Sequence, residues 1–269
     1  MTELEESLGQ LEGVVFGLSL VLSGIAWLGV SVRAARLSPM VDRGPRISSL
    51  LAGFLAMNAV NFAVLLTLAS ADVRSSVFYI VFYLAMGLGA SVFTLLALKG
   101  AGVSRRDIHE RGNRAAATLE FSALVAGGVA FAGANIGDGP GFWVVIICAA
   151  LSMGTLFALA LLHIAASRTI YRILVDRERG TAFRFGCLLV GCALVLGRAV
   201  AGDWTGIGPA IVDFSGRAWP AAIMVLLDVV VARVLLSREP DGNAAADRAF
   251  GVIYLLMGCV FVAALGKPT

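Results

Sequence analysis

Residues 111–136 read RGNRAAATLEFSALVAGGVAFAGANI. Arg111 and Arg114 bracket Gly112 and Asn113. From Ala115 to Ile136 the run is apolar, apart from Glu120 and scattered uncharged polar residues. A run of this length spans a bilayer as a helix, which takes about 20 apolar residues. Lipid offers no partner to a bare backbone group, so a crossing segment must satisfy its own N–H and C=O groups. Barrel strands do so at about half this length, which leaves the helix. Asn is a favoured N-cap, so the helix is expected to start at Asn113.

Similar runs lie at about 12–32, 47–69, 76–98, 142–166, 182–201, 216–236 and 249–266. The chain has 269 residues, 59% of them hydrophobic and only 14% charged. Its mean hydropathy is +0.89. Soluble domains carry about 25% charged residues to cover their surface. The expected fold class is therefore all-α: a polytopic transmembrane helix bundle of about eight helices forming a single membrane domain over 1–269. The N-terminus carries Glu3, Glu5, Glu6 and Glu12 and no basic residue, unlike a signal peptide, so the first run is expected to remain as a helix.

The connectors alternate in charge. Seventeen of the 21 basic residues fall after the first, third, fifth and seventh runs, Arg184 and Arg233 among them. The positive-inside rule makes those connectors cytoplasmic and puts both termini outside. Two markers recur along the chain. Gly44, Gly112, Gly180 and Gly242 each precede a helix start, at Pro45, Asn113, Thr181 and Asn243. Asp72, Asp138 and Asp203 follow a small residue on the opposite side. Both markers repeat every 60-odd residues, so four tandem two-helix units are expected at approximately 11–70, 75–136, 142–202 and 208–266. An even number of spans per unit makes successive units parallel rather than inverted.

The start Glu110-Arg111-Gly112-Asn113-Arg114-Ala115-Ala116-Ala117, with Thr181-Ala182-Phe183 and Asp241-Gly242-Asn243-Ala244-Ala245-Ala246, resembles the YjfL-like bacterial inner-membrane proteins. In that family a basic linker runs into an Asn-x-Ala-Ala helix start and a Gly- and Ala-rich span. The match is clearest over about 100–205, and the first unit departs from it with Pro45-Arg46-Ile47. The resemblance implies a bacterial inner (plasma) membrane location and brings no activity with it.

Few residues could carry chemistry. Glu120 and Asp228 are carboxylates inside apolar runs, where charge is costly and calls for a role. Both fall in the half of the bilayer near the basic connectors. Either they line a polar cavity together or share a proton, or each pairs with an arginine such as Arg184 or Arg233. Asn58 and Asn61 share a face of the second helix and either coordinate an ion or polar solute or bond neighbouring helices. Asp138, in Gly137-Asp138-Gly139-Pro140-Gly141, and Asp203 mark outer turns that either admit a ligand or only reverse the chain. Trp143, Trp204 and Trp219 suit an interfacial belt. Arg198, near the outer end of its helix, is expected to snorkel.

Other classes find no support. His109 and His163 do not stand at metal-ligand spacing, and there is no nucleophile elbow, Walker loop or dinucleotide fingerprint. Cys148, Cys187, Cys192 and Cys259 lie in apolar runs and read as small buried hydrophobes. No catalysis, cofactor, metal or nucleic-acid partner is expected; the partners are the lipid bilayer and either a second copy or a membrane or peripheral protein. Two functions fit: a channel or transporter for a small ion or solute, or a non-catalytic membrane scaffold or sensor.

Overall fold

The computed structural model describes residues 2–37, 48–235 and 244–266. They form eight long helices: α1 Thr2–Leu37, α2 Ser48–Thr67, α4 Val77–Gly100, α6 Arg114–Gly133, α7 Phe142–Ala166, α9 Arg179–Val200, α10 Ile207–Val230 and α11 Ala244–Ala264. Three short ones lie between them: α3 Ala71–Ser75, α5 Arg105–His109 and α8 Thr169–Leu174. α10 continues into a π-helical turn, Val231–Leu235. Among the described residues there is no strand. Among the described residues, seven of the long helices are long and apolar enough to cross a membrane. The chain is an all-α membrane helix bundle.

Asn113 shows how the connectors are fixed. Its side-chain oxygen accepts the N–H groups of Ala115 and Ala116 at 3.0 and 3.1 Å, satisfying donors that have no partner inside the helix. Its amide nitrogen donates to the Ile173 carbonyl at 2.9 Å, which ties the start of α6 to the end of α8. Upstream, Ser104 and Asp107 close a reciprocal capping box on α5, and Arg111 pairs with Asp107 at 2.8 Å. The starts at Pro45 and Asn243 lie outside the described residues.

Five expectations need correction. Thr181 does not start its helix: α9 begins at Arg179, after Glu178, and Thr181 lies inside the first turn. Arg184 is therefore not a connector residue but a fully buried side chain of α9. α10 begins at Ile207, nine residues ahead of the apolar run, because Pro209 and Asp213 lower the local hydropathy without breaking the helix. Pro is tolerated in a first turn, where its missing N–H would have no partner anyway. Trp219 consequently sits mid-helix, exposed beside Phe261, and not at a rim. Cys259 faces outward on α11, whereas the other three cysteines are buried.

Four parallel helices form a row in the order α2, α6, α9, α11, each packed on the next. α4, α7 and α10 run the other way along it, and α1 packs on α4. α6 and α9, at the centre, are the most enclosed. Lipid tails are as apolar as leucine, so helices associate here through close van der Waals contact, which small residues permit. Gly133 of α6 lies against the Gly197 backbone of α9, and Gly128 against Met57 of α2. Gly191 of α9 meets Gly258 of α11, where an added Cβ would stand 2.8 Å from the Gly191 Cα.

Gly133→Val drives side-chain atoms into backbone that cannot yield. Loss of about 1–3 kcal/mol is expected from such overpacking. Gly154 of α7 has open space around its Cα, so Gly154→Ala serves as a near-neutral control. Thermal unfolding of the two purified variants in detergent measures the difference; equal midpoints would contradict the packed crossing.

Candidate functional site

Arg184 lies five residues into α9 and is fully buried. Its Nε donates to Asp247 Oδ1 of α11 at 2.7 Å, and its Nη1 bonds Asp228 Oδ1 of α10. The other Asp228 oxygen, Oδ2, stands 2.7 Å from His163 Nε2 of α7. One turn from its start, α11 turns Asp247 inward; one turn before its end, α7 does the same with His163. Four helices thus converge on one guanidinium. His163 stacks on Phe185, centroids 4.7 Å apart, and its Nδ1 lies 3.4 Å from Ser167 Oγ. Thr181, one turn ahead of Arg184, donates its hydroxyl to Glu178 at 2.7 Å and to Asp247 at 3.2 Å. Glu178 in turn pairs with Arg172 at 2.6 Å.

Burying ions in a low-dielectric interior is repaid only when geometry and hydrogen bonding are good on every side. Here two carboxylates face one guanidinium. The proton on the imidazole decides whether the four groups sum to zero or to one negative charge. Nη2 of Arg184 has no hydrogen-bond partner among the described residues. At the surface, Asp247 also lines a recess of about 570 Å³ with Asp176, Arg177, Glu178, Arg179 and Arg248. Asp247 therefore belongs both to the recess and to the buried network.

The candidate residues do not all meet. Asp228 is paired with Arg184, one of the two arginines named for it; Arg233 instead donates to the Ala166 carbonyl at the end of α7. Glu120 is buried on α6, while Asp228 bonds Arg184 through one oxygen and His163 through the other. Asn58 turns back on its own helix and donates to Phe54 O at 2.8 Å. Asn61 is fully buried beside Gly87 and Phe131, and neither of its polar atoms has a hydrogen-bond partner among the described residues. Arg198 does not snorkel. It is 8% exposed and donates to the carbonyls of Leu265 and Gly266 beyond the end of α11, where the last carbonyls of a helix have no partner of their own.

At the opposite end the turns interlock. Asp138 N–H donates to Asp203 Oδ1 at 2.9 Å, Trp204 N–H to Asp138 O at 2.8 Å, and Gly202 N–H to Ile136 O at 3.0 Å. Ala69 forms an isolated parallel bridge with Gly137. Gly137 and Gly202 take φ of 112° and 146°, values that L side chains rarely adopt. Trp143 and Trp204 pack edge to face at 5.2 Å. On the next turn, a hydrogen bond from Ser70 holds the Asp72 carboxyl below its ordinary value.

Sequence reasoning passed over His163 and Asp247 as site residues. His163 stood alone in its run, and Asp247 looked like an ordinary first-turn acid after an Ala-Ala-Ala start. One signal was present: Thr181 and Arg184 are three apart and share a helix face. Among the described residues, no group of three His, Cys, Asp or Glu side chains could hold a metal ion. No protein family, no curated protein and no solved structure matches this chain.

Arg184→Met leaves two buried carboxylates without their cation and should destabilise the protein by about 3–5 kcal/mol. Combining it with Asp228→Leu and Asp247→Leu removes the stranded charges and should recover most of that loss. Unfolding midpoints of the single and triple variants test this; a triple variant no more stable than Arg184→Met would contradict the ion-pair account.

Proposed function

We propose that this chain is a non-catalytic membrane scaffold or sensor, whose basic face is cytoplasmic and docks a polar segment of a partner protein. The observation that carries this reading is the double membership of Asp247. A group entering the recess beside Glu178 and Arg248 competes for Asp247 and so bears on Arg184, Asp228 and His163. A surface event is thereby linked to the packing of α7, α9, α10 and α11.

The four-unit organisation belongs to the same proposal. Side-chain bonds between neighbouring parallel helices or their adjoining turns join residues 65, 66 and 68 apart: Asp138 with Asp203, Thr181 with Asp247, and Arg198 with Gly266. These separations match the spacing of the glycine and aspartate markers. The likeness to YjfL-like proteins, with a bacterial inner-membrane location and both termini outside, stays part of the proposal on the strength of the helix-start motif and the basic connectors.

A route for a small ion or solute is the second reading. It is favoured by Asn61 and Thr94, buried polar side chains without hydrogen-bond partners among the described residues. Flux into proteoliposomes separates the two. Background flux across a panel of ions and solutes, for the parent and for Asp228→Asn alike, is expected; solute-specific flux abolished by Asp228→Asn would establish transport instead. In the same preparation, Asp247→Asn should speed amide exchange in 169–178 and at the end of α10, and unchanged protection there would refute the coupling. For orientation, a C-terminal alkaline phosphatase fusion should be active and a C-terminal green fluorescent protein fusion dark.

A further inference from the structure

At the end away from the basic connectors, a cavity of about 220 Å³ opens between α1, the start of α4, the 134–141 turn and the start of α7. Its lining includes the carboxylates of Glu12, Asp72 and Asp138 and the rings of Tyr79 and Tyr83, and no Lys, Arg or His. Among the described residues none of the three carboxylates is in an ion pair. A chain with a net charge of +3 has thus gathered unneutralised negative charge around one hollow.

Asn135 supplies an independent sign of a ligand. It is 6% exposed and lines this cavity. Its Nδ2 donates to the Phe131 carbonyl at 3.2 Å, and that bond fixes which amide atom is the oxygen. The remaining Oδ1 has no partner among the described residues. A buried acceptor left unmet costs about 1–3 kcal/mol, so a donor is missing from this place. The cavity holds several waters at about 30 Å³ each, or one small organic molecule.

The chemistry of the lining selects the occupant. The lining has three carboxylates, an unmet amide oxygen and two phenol rings and no cationic side chain, which calls for a cation that can donate a hydrogen bond. A bare metal ion needs ligand oxygens within about 2.0–2.6 Å, and these carboxylates ring the cavity without converging on such a point. Aromatic faces attract organic cations, and Tyr79 and Tyr83 present rings 6.4 Å apart. We propose that this cavity binds a small organic ammonium ion, its N–H meeting Asn135 Oδ1 and its charge balanced by Glu12, Asp72 and Asp138. The site goes beyond the docking reading, since it lies at the other end of the molecule and does not depend on it.

The test is isothermal titration of n-butylammonium chloride into the protein in nanodiscs, against sodium chloride of equal ionic strength and calcium chloride. Saturable butylammonium binding is expected, weakened at least about tenfold by Asn135→Leu and by Asp72→Asn; a tenfold change is readily resolved. Asp72 is exposed, so its variant keeps the test open should Asn135→Leu fail to fold, as judged by its unfolding midpoint. Three results would overturn the proposal: no binding above the sodium control, equal binding in the parent and the folded variants, or saturable binding of calcium alone.

Discussion

A guanidinium cannot lose its proton, so an arginine carried into the interior of a helix bundle must be met there by acceptors. Arg184 imposes that requirement on three of the helices around it, α7, α10 and α11. α10 and α11 must bring a carboxylate each, and α7 must bring a group able to share Asp228. The rotation of each helix about its axis, and its position along that axis, follow from where Asp228, Asp247 and His163 have to stand. The glycine contacts then set how near the helices come. Apolar surface alone would leave both choices loose in lipid, which does not favour one greasy face over another.

The bundle as a whole was legible in the sequence. Long apolar runs and alternating connector charge have few physical solutions in lipid, so fold class and helix order followed from length and composition. Helix ends were less legible. Hydropathy marks where a chain becomes greasy, not where its backbone begins to coil, and so the amphipathic first turns of α10 and the charged start of α9 were set outside their helices.

The site was legible only in part. Asp228 stood out because it interrupts an apolar run. Asp247 and Arg184 lie within about two turns of a helix start, where charge is ordinarily solvated, and nothing in a linear pattern says that another helix end covers them. Arg198 misled for a similar reason: its proximity to a rim was plain, but its carbonyl partners in 265–266 are far away in sequence. Pairings of this kind depend on which helices are neighbours, and that information resides in the packing of small residues.

The interlocked turns have a consequence for the end of the molecule they form. Backbone bonds from 136–138 to 202–204, together with the bridge from Ala69 to Gly137, join three chain reversals into one strip. Loops normally lose conformational freedom when something settles against them, and that loss weakens association. Here much of the ordering has already occurred during folding. A surface of this kind is pre-organised: its selectivity is set by a fixed shape, and its dissociation rate is free of any loop-refolding step.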